Sequence, residues 1–158
     1  MDGSGDNSPI LLITHQYAMF IGEYQHSIDG KGRMAIPAKF RQTLRGGAIV
    51  TRGLDNCLFV YTPNEWKKLV ERLSDLPLSH GASRAFSRLM LAGAMDVSLD
   101  SQGRILIPEY LRRFAGIKKD TTIAGLHNRL EVWDTASWEK YKAATEKDSV
   151  KIAEELGV

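Results

Sequence analysis

The stretch DGKGRMAIP at residues 29 to 37 has a counterpart 71 residues later, DSQGRILIP at residues 100 to 108. Each sets a carboxylate four residues before a guanidinium, Asp29 before Arg33 and Asp100 before Arg104, with a glycine directly preceding the arginine. Two chemistries are open to such a loop. In the structural one, the aspartate caps the turn or pairs with the arginine, and the glycine takes a positive φ at the reversal. In the binding one, the carboxylate holds a planar five-donor fork in a fixed pose, which suits a phosphate or a base edge. Both readings stay open for Asp29, Asp100, Gly32 and Gly103. For Arg33 and Arg104 binding is favoured over a surface or structural ion pair.

Charge near the loops extends this reading. Lys31, Lys39, Arg41 and Arg45 are close to the first loop in sequence and are expected around Arg33. The second copy has Arg112 and Arg113, but uncharged Ser101 and Gln102 at its tip. With both loops on one side of the molecule, these cations make one platform that attracts DNA, although the net charge is only +2. The candidate DNA-binding residues are Asp29, Lys31, Arg33, Lys39, Arg41, Asp100, Arg104 and Arg112. The unequal tips predict more counterion release at the first loop than at the second. Backbone N–H groups of the glycine turns are further phosphate donors, and a β element enters the major groove much as a helix does.

Other chemistries find little support. GxxxxGK is absent, and DGKGR lacks the alternating oxygen ligands of a calcium loop. His15, His26, His80 and His127 are scattered without metal-ligand spacing, and no nucleophile stands beside a partnered base. No enzymatic activity, cofactor, metal or small-molecule substrate is assigned. His26 reads as a solvent-facing strand residue rather than a phosphate contact. Arg84 and Arg88 read as a solvated helix face, with an inter-subunit salt bridge as the alternative. Cys57, the only cysteine, is followed by Leu58, Phe59 and Val60 and reads as a small buried residue rather than a reactive thiol. Such usage fits a reducing cytosol. The apolar run Ile10 to Ile13 is too short to span a membrane and lacks a signal peptide's basic leader.

The elements that must position the loops follow from an internal repeat. The 158 residues, 43% hydrophobic and 25% charged, suit one globular domain or two very small ones. Ile28, Asp29, Gly32, Arg33, Ile36, Pro37, Phe40 and Arg41 align with Leu99, Asp100, Gly103, Arg104, Ile107, Pro108, Leu111 and Arg112. After one inserted residue, Gly53, Leu54, Asn56, Leu58, Val60 and Trp66 align with Gly125, Leu126, Asn128, Leu130, Val132 and Trp138. Each half reads as strand, loop, strand, short helix, strand, turn, strand, helix. Strands are expected over 20–28, 33–36, 48–51 and 57–61, and over 95–99, 104–107, 121–124 and 129–133. Pro37 and Pro108 are expected at the first helical position. TPNE at 62 to 65 has the signature of a capping box, and Asp134 that of a helix cap. Trp66, Leu69, Val70 and Leu73 form one buried helix face, Trp138 and Tyr141 another. A middle helix over 83–94 carries Phe86, Leu89, Met90 and Ala94, and the tail after Glu146 reads as a further helix. Trp66, Trp133 and Trp138 are read as core or interface residues rather than base-stacking platforms.

Two units this small cannot each bury a stable core, so the halves are expected to interleave about a pseudo-twofold axis. The resulting class is mainly β with short helices: a double-split, swapped-hairpin β barrel made by two repeats, with peripheral helices. The boundaries are a disordered N-terminal extension over 1–18, a first repeat over 19–66, linking helices over 67–94, a second repeat over 95–141 and a tail over 142–158.

MFIGEY, IDGKGRMAIPAKFR, LDSQGRILIPEYLRRFAG and GLHNRLEVWD together resemble the MraZ family, and the two halves resemble the swapped-hairpin fold of the AbrB and SpoVT regulators. The resemblance covers residues 19 to about 145, which favours Met19 as the functional start, with the preceding residues an extension or an upstream start. It implies a cytoplasmic, nucleoid-associated bacterial regulator, usually a repressor. Such a regulator binds short direct repeats in double-stranded DNA upstream of its own operon, in the division and cell-wall gene cluster. It also implies a homo-oligomeric closed ring, with Arg33 and Arg104 turned toward DNA. The alternatives are an antitoxin or chromatin-type DNA-binding protein of the same fold class, or a structural protein whose loops bind protein.

Overall fold

Short apolar runs separated by turn residues give a chain of short strands. The computed structural model describes residues 19–158, and the extension expected over 1–18 lies outside them. In chain order the elements are β1 (Phe20–Ser27), β2 (Arg33–Ala35), α1 (Ala38–Arg41), β3 (Ala48–Arg52) and β4 (Leu58–Tyr61). Next come α2 (Pro63–Ser74), then α3 (Gly81–Ser87), which runs into a π-helical turn (Arg88–Ala92), and β5 (Met95–Val97). The second half follows with β6 (Arg104–Leu106), α4 (Glu109–Phe114), β7 (Asp120–His127), β8 (Leu130–Asp134), α5 (Thr135–Lys147) and α6 (Ser149–Leu156).

The order of the main sheet, β1-β7-β8-β4-β3-β5, is palindromic in the repeat. Its centre is the β4–β8 ladder, where Leu58, Phe59 and Val60 face Val132, Glu131 and Leu130. Outward on each side, the third strand of one half bonds the first strand of the other, β7 with β1 and β3 with β5. The second strands of the halves leave this sheet and form their ladder with each other, Met34 opposite Ile105. Every ladder is antiparallel. The halves are thus interleaved, as the sequence predicts. Among the described residues no ladder joins the edge strands β1 and β5, and a single bridge, Ile28 to Met34, links the small sheet to the large one. Three-residue strands at β2, β5 and β6 are too short to carry pairing around.

Burial explains the sequence patterns. Ile28, Met34, Ile36, Leu44, Val50, Leu58 and Val60 from the first half pack with Ile105, Ile107, Leu111, Ile123, Leu130 and Val132 from the second. On the other side of the sheet, Cys57, Phe59, Tyr61 and Trp133 pack with Leu73 and Met90, and Trp66, Leu69, Phe86 and Trp138 cover them. Strand β4 therefore buries both faces, which is why LFVY shows no polar alternation. Cys57 is fully buried, and desolvation pushes its thiol far above the ordinary range, as expected of an inert residue.

Local signals hold with adjustments. Thr62 accepts a hydrogen bond from the Glu65 N–H at 3.2 Å and Pro63 opens α2, but the Glu65 carboxylate turns to Lys68, so only half of the capping box forms. Asp134 caps α5 through the Ser137 N–H. Pro37 and Pro108 stand one residue earlier than expected, at the cap, with ψ of 133° and 151°. The chain is still extended there, because Ile36 and Ile107 are finishing their strand pairing. Tyr141 rests on the Trp133 ring yet stays 45% exposed, so α5 buries less than its sequence predicts.

Replacing Ile105, fully buried between the halves, with alanine should cost about 2–5 kcal/mol. Urea unfolding would measure it; a loss under about 1 kcal/mol would mean that the β2–β6 seam is not part of the shared core.

Candidate nucleic-acid interface

Both loops are built from the same bonds. The Asp29 Oδ1 accepts the N–H groups of Lys31 and Arg33 at 2.9 Å each, and its Oδ2 accepts the Arg33 Nε–H at 2.8 Å. Asp100 treats Gln102 and Arg104 identically, with the same three distances. In each, the Asp N–H donates to the Arg carbonyl and the Gly N–H to the Asp carbonyl. The glycines close the turns with φ of +84° at Gly32 and +76° at Gly103, where a side chain would be strained. The turn amides of Arg33 and Arg104, aided by their guanidinium hydrogen bonds, hold both carboxyls below the ordinary aspartate range. The structural reading therefore holds for the aspartates and glycines.

The arginines are fixed but not used up. Each spends its Nε on its own aspartate, and the two side chains remain 35% and 24% exposed. The Arg104 Nη1 also lies 3.8 Å from the Asp29 Oδ2, so the two loops abut and Asp29 faces both guanidinium groups.

Crossed hydrogen bonds produce this abutment. Ile36 donates its N–H to the Gly103 carbonyl at 2.9 Å, and Ile107 donates to the Gly32 carbonyl at 2.8 Å. Whatever follows β2 is therefore delivered to the second loop, and whatever follows β6 to the first. Arg41, anchored by an Nε–H bond to the Ile36 carbonyl, lies against Gly103; a Cβ there would come within 2.5 Å of its Nε. Arg112, anchored likewise on the Ile107 carbonyl, lies against Gly32, where an added Cβ would come 3.0 Å from its Nη2. The glycines thus serve two needs, a positive φ and room for an arginine of the other repeat.

The grouping of charge reaches across the repeats. Arg41 and Arg45 line a cleft with Leu99, Asp100, Ser101 and Gly103 at the second loop. Arg112 serves the first loop instead, beside exposed Lys31 at its tip. The uncharged tip of the second loop is compensated by arginines of the first repeat. Lys39 is exposed on α1, its ammonium 5.9 Å from the Phe40 ring, and no hydrogen bond or ion pair ties it to either loop among the described residues. Arg113 is engaged by Glu109 at 2.7 Å. His26 is partly buried on β1, and burial together with the Arg41 charge lowers its pKa. Sequence reading missed Lys118 and Lys119: the Lys119 carbonyl accepts the Ile28 N–H at 2.8 Å, which sets this exposed pair at the base of the first loop. The KK dipeptide was visible, but only the β1–β7 ladder brings it there.

Among the described residues there is no group of three or more His, Cys, Asp or Glu side chains placed to hold a metal ion, and no helix is long and apolar enough to cross a membrane. The arrangement offers anchored guanidinium groups and lysines to an anionic surface.

The family model described as "MraZ protein, putative antitoxin-like" matches residues 19–89 and again residues 90–157. Proteins named "Transcriptional regulator MraZ" from Natranaerobius thermophilus and Caldanaerobacter subterraneus subsp. tengcongensis are each 49% identical over 138 residues, 87% of this chain and 96% of theirs. One of the same name from Acetivibrio thermocellus is 49% identical over 140 residues, 89% of this chain and 98% of its own. A fold made of two interleaved copies of one loop-bearing unit, a model matched twice in tandem and relatives aligned nearly end to end agree: the chain belongs to the MraZ family.

Proposed function

We propose that the protein is a transcriptional regulator that binds double-stranded DNA through its paired D-x-x-x-R loops. The observation that carries this reading is the abutment of two identically built loops, each presenting an arginine whose Nε is anchored and whose remaining N–H donors make no hydrogen bond among the described residues, donors that suit a base edge or phosphate. The relatives' printed name, transcriptional regulator, supports it. In this reading Arg33 and Arg104 read bases, while Lys31, Arg41 and Arg112 neutralise phosphates. Asp29 and Asp100 hold the arginines in place. Lys39 has the weakest support of the candidates.

The finer reading is a cytoplasmic, nucleoid-associated repressor that recognises short direct repeats upstream of its own operon, in the division and cell-wall gene cluster. Residues 19–66 and 95–141 are the reading repeats sharing one core, 67–94 their link and 142–158 a helical tail. A closed homo-oligomeric ring suits direct repeats, because linked weak footprints multiply in affinity. The antitoxin-like wording of the family description favours one second reading, an antitoxin of the same fold; a toxin co-purifying with the chain would select it.

Substituting Arg33→Ala and Arg104→Ala together should abolish preference for the upstream DNA, at about 1–3 kcal/mol for each arginine, while circular dichroism stays unchanged. Gel-shift titration against upstream and scrambled duplexes reads this out, and unaltered preference would sink the assignment. The loops also carry a pH signature. Folded-state carboxyl pKa values below the unfolded ones mean that turn stabilisation is complete above the ordinary aspartate range and is lost as pH falls through the depressed values. Carboxyl carbon NMR should place both midpoints below about 3.9; midpoints at or above that would show that the turns are open in solution.

A further inference from the structure

The lining of the cleft beside the second loop is not matched residue for residue at the first. Arg41 has a repeat counterpart in Arg112, but Arg45 aligns with Gly116 and Ser101 with Gly30, neither of which has a functional side chain. The second loop therefore faces two arginines of the other repeat and a hydroxyl, where the first faces one arginine and carries Lys31 at its tip.

The chemistry of the lining selects an anion. Arg41 is held in place by its Nε–H bond to the Ile36 carbonyl, and its remaining guanidinium donors make no hydrogen bond among the described residues. Arg45 is exposed and forms no ion pair among the described residues. The one carboxylate in the lining, Asp100, is committed to Arg104 and to two backbone amides, so Arg41, Arg45 and Arg104 together leave a local excess of positive charge. Leu99 is the apolar residue of the lining. Two arginines and a serine on one cleft carry the kind of donors that a phosphate's tetrahedral oxygens accept from.

We propose that this cleft clamps a phosphate of the DNA backbone, with Arg41, Arg45 and Ser101 as its donors; the inference rests on the DNA reading above. The two repeats then grip the backbone differently, the first with a flexible lysine at the loop tip and the second with an anchored arginine cleft. Arg45 and Ser101 become binding residues that set register on the duplex without reading sequence.

The test uses the full-length chain, a fluorescent duplex from immediately upstream of its gene and a scrambled duplex of equal length, titrated across salt concentrations. Arg45→Ala should weaken binding to both duplexes about fivefold at 0.15 M salt and make the log–log salt slope shallower by about 0.9 per bound subunit. Arg45→Lys should restore most of the slope. Ser101→Gly, which mimics the first loop, should weaken both duplexes roughly twofold to tenfold with no change in slope. A wild-type slope in Arg45→Ala, with Arg33→Ala still destroying discrimination, would overturn the clamp and leave the DNA reading standing. So would an Arg45→Ala variant that loses inorganic phosphate binding by NMR yet keeps full DNA affinity, since the cleft would then serve free phosphate. A wild-type chain that binds neither duplex would overturn the DNA reading and the clamp together.

Discussion

Two backbone hydrogen bonds, Ile36 N–H to Gly103 carbonyl and Ile107 N–H to Gly32 carbonyl, set the geometry on which the rest depends. Each ties the end of one repeat's short strand to the loop of the other. Both join backbone groups of buried residues that would otherwise be left unpaired. Because they cross, the loops must abut, and the helices after β2 and β6 must exchange sides. A one-residue slip in this register would turn Met34 and Ile105 outward and separate the loops. Packing of the core and placement of the arginines are therefore one constraint.

The ion pairs inside the loops matter for geometry more than for stability. Partly exposed pairs of this kind contribute little to folding. Their effect is to remove rotational freedom from Arg33 and Arg104 before any ligand arrives, which lowers the entropy cost of using the remaining donors. Asp29 lies near both guanidinium groups, whereas Asp100 is bonded to one. The two nearly symmetric loops thus share an asymmetric electrostatic centre.

The sequence made the repeat legible because it is written in residue identities: DxxGR spacing, the glycines and the prolines recur at fixed offset. It also made the inert Cys57 and the Trp66 and Trp138 faces legible, since burial and helical spacing are local signals. It did not reveal where Arg41 and Arg45 lie. Proximity in sequence suggested the first loop, but β pairing between halves leaves no local trace, and only the β2–β6 ladder shows that these arginines arrive at the second. Lys118 and Lys119 escaped for the same reason. Tyr141 misled in the opposite direction, because helical spacing predicts a face without revealing how much of the helix has a sheet beneath it.

The β1–β7 ladder, which sets Phe20 opposite His127 and Ser27 opposite Asp120, has a consequence for biosynthesis. At roughly 5–20 residues per second, the first strand leaves the ribosome about 5–20 s before the segment that bonds it has been made. Throughout that interval its backbone is solvated by water, and the apolar residues destined for the shared core have nothing to fold against. The nascent first half therefore waits as an incomplete sheet, and any pause in translation before residue 120 lengthens the time that its edge stays unpaired.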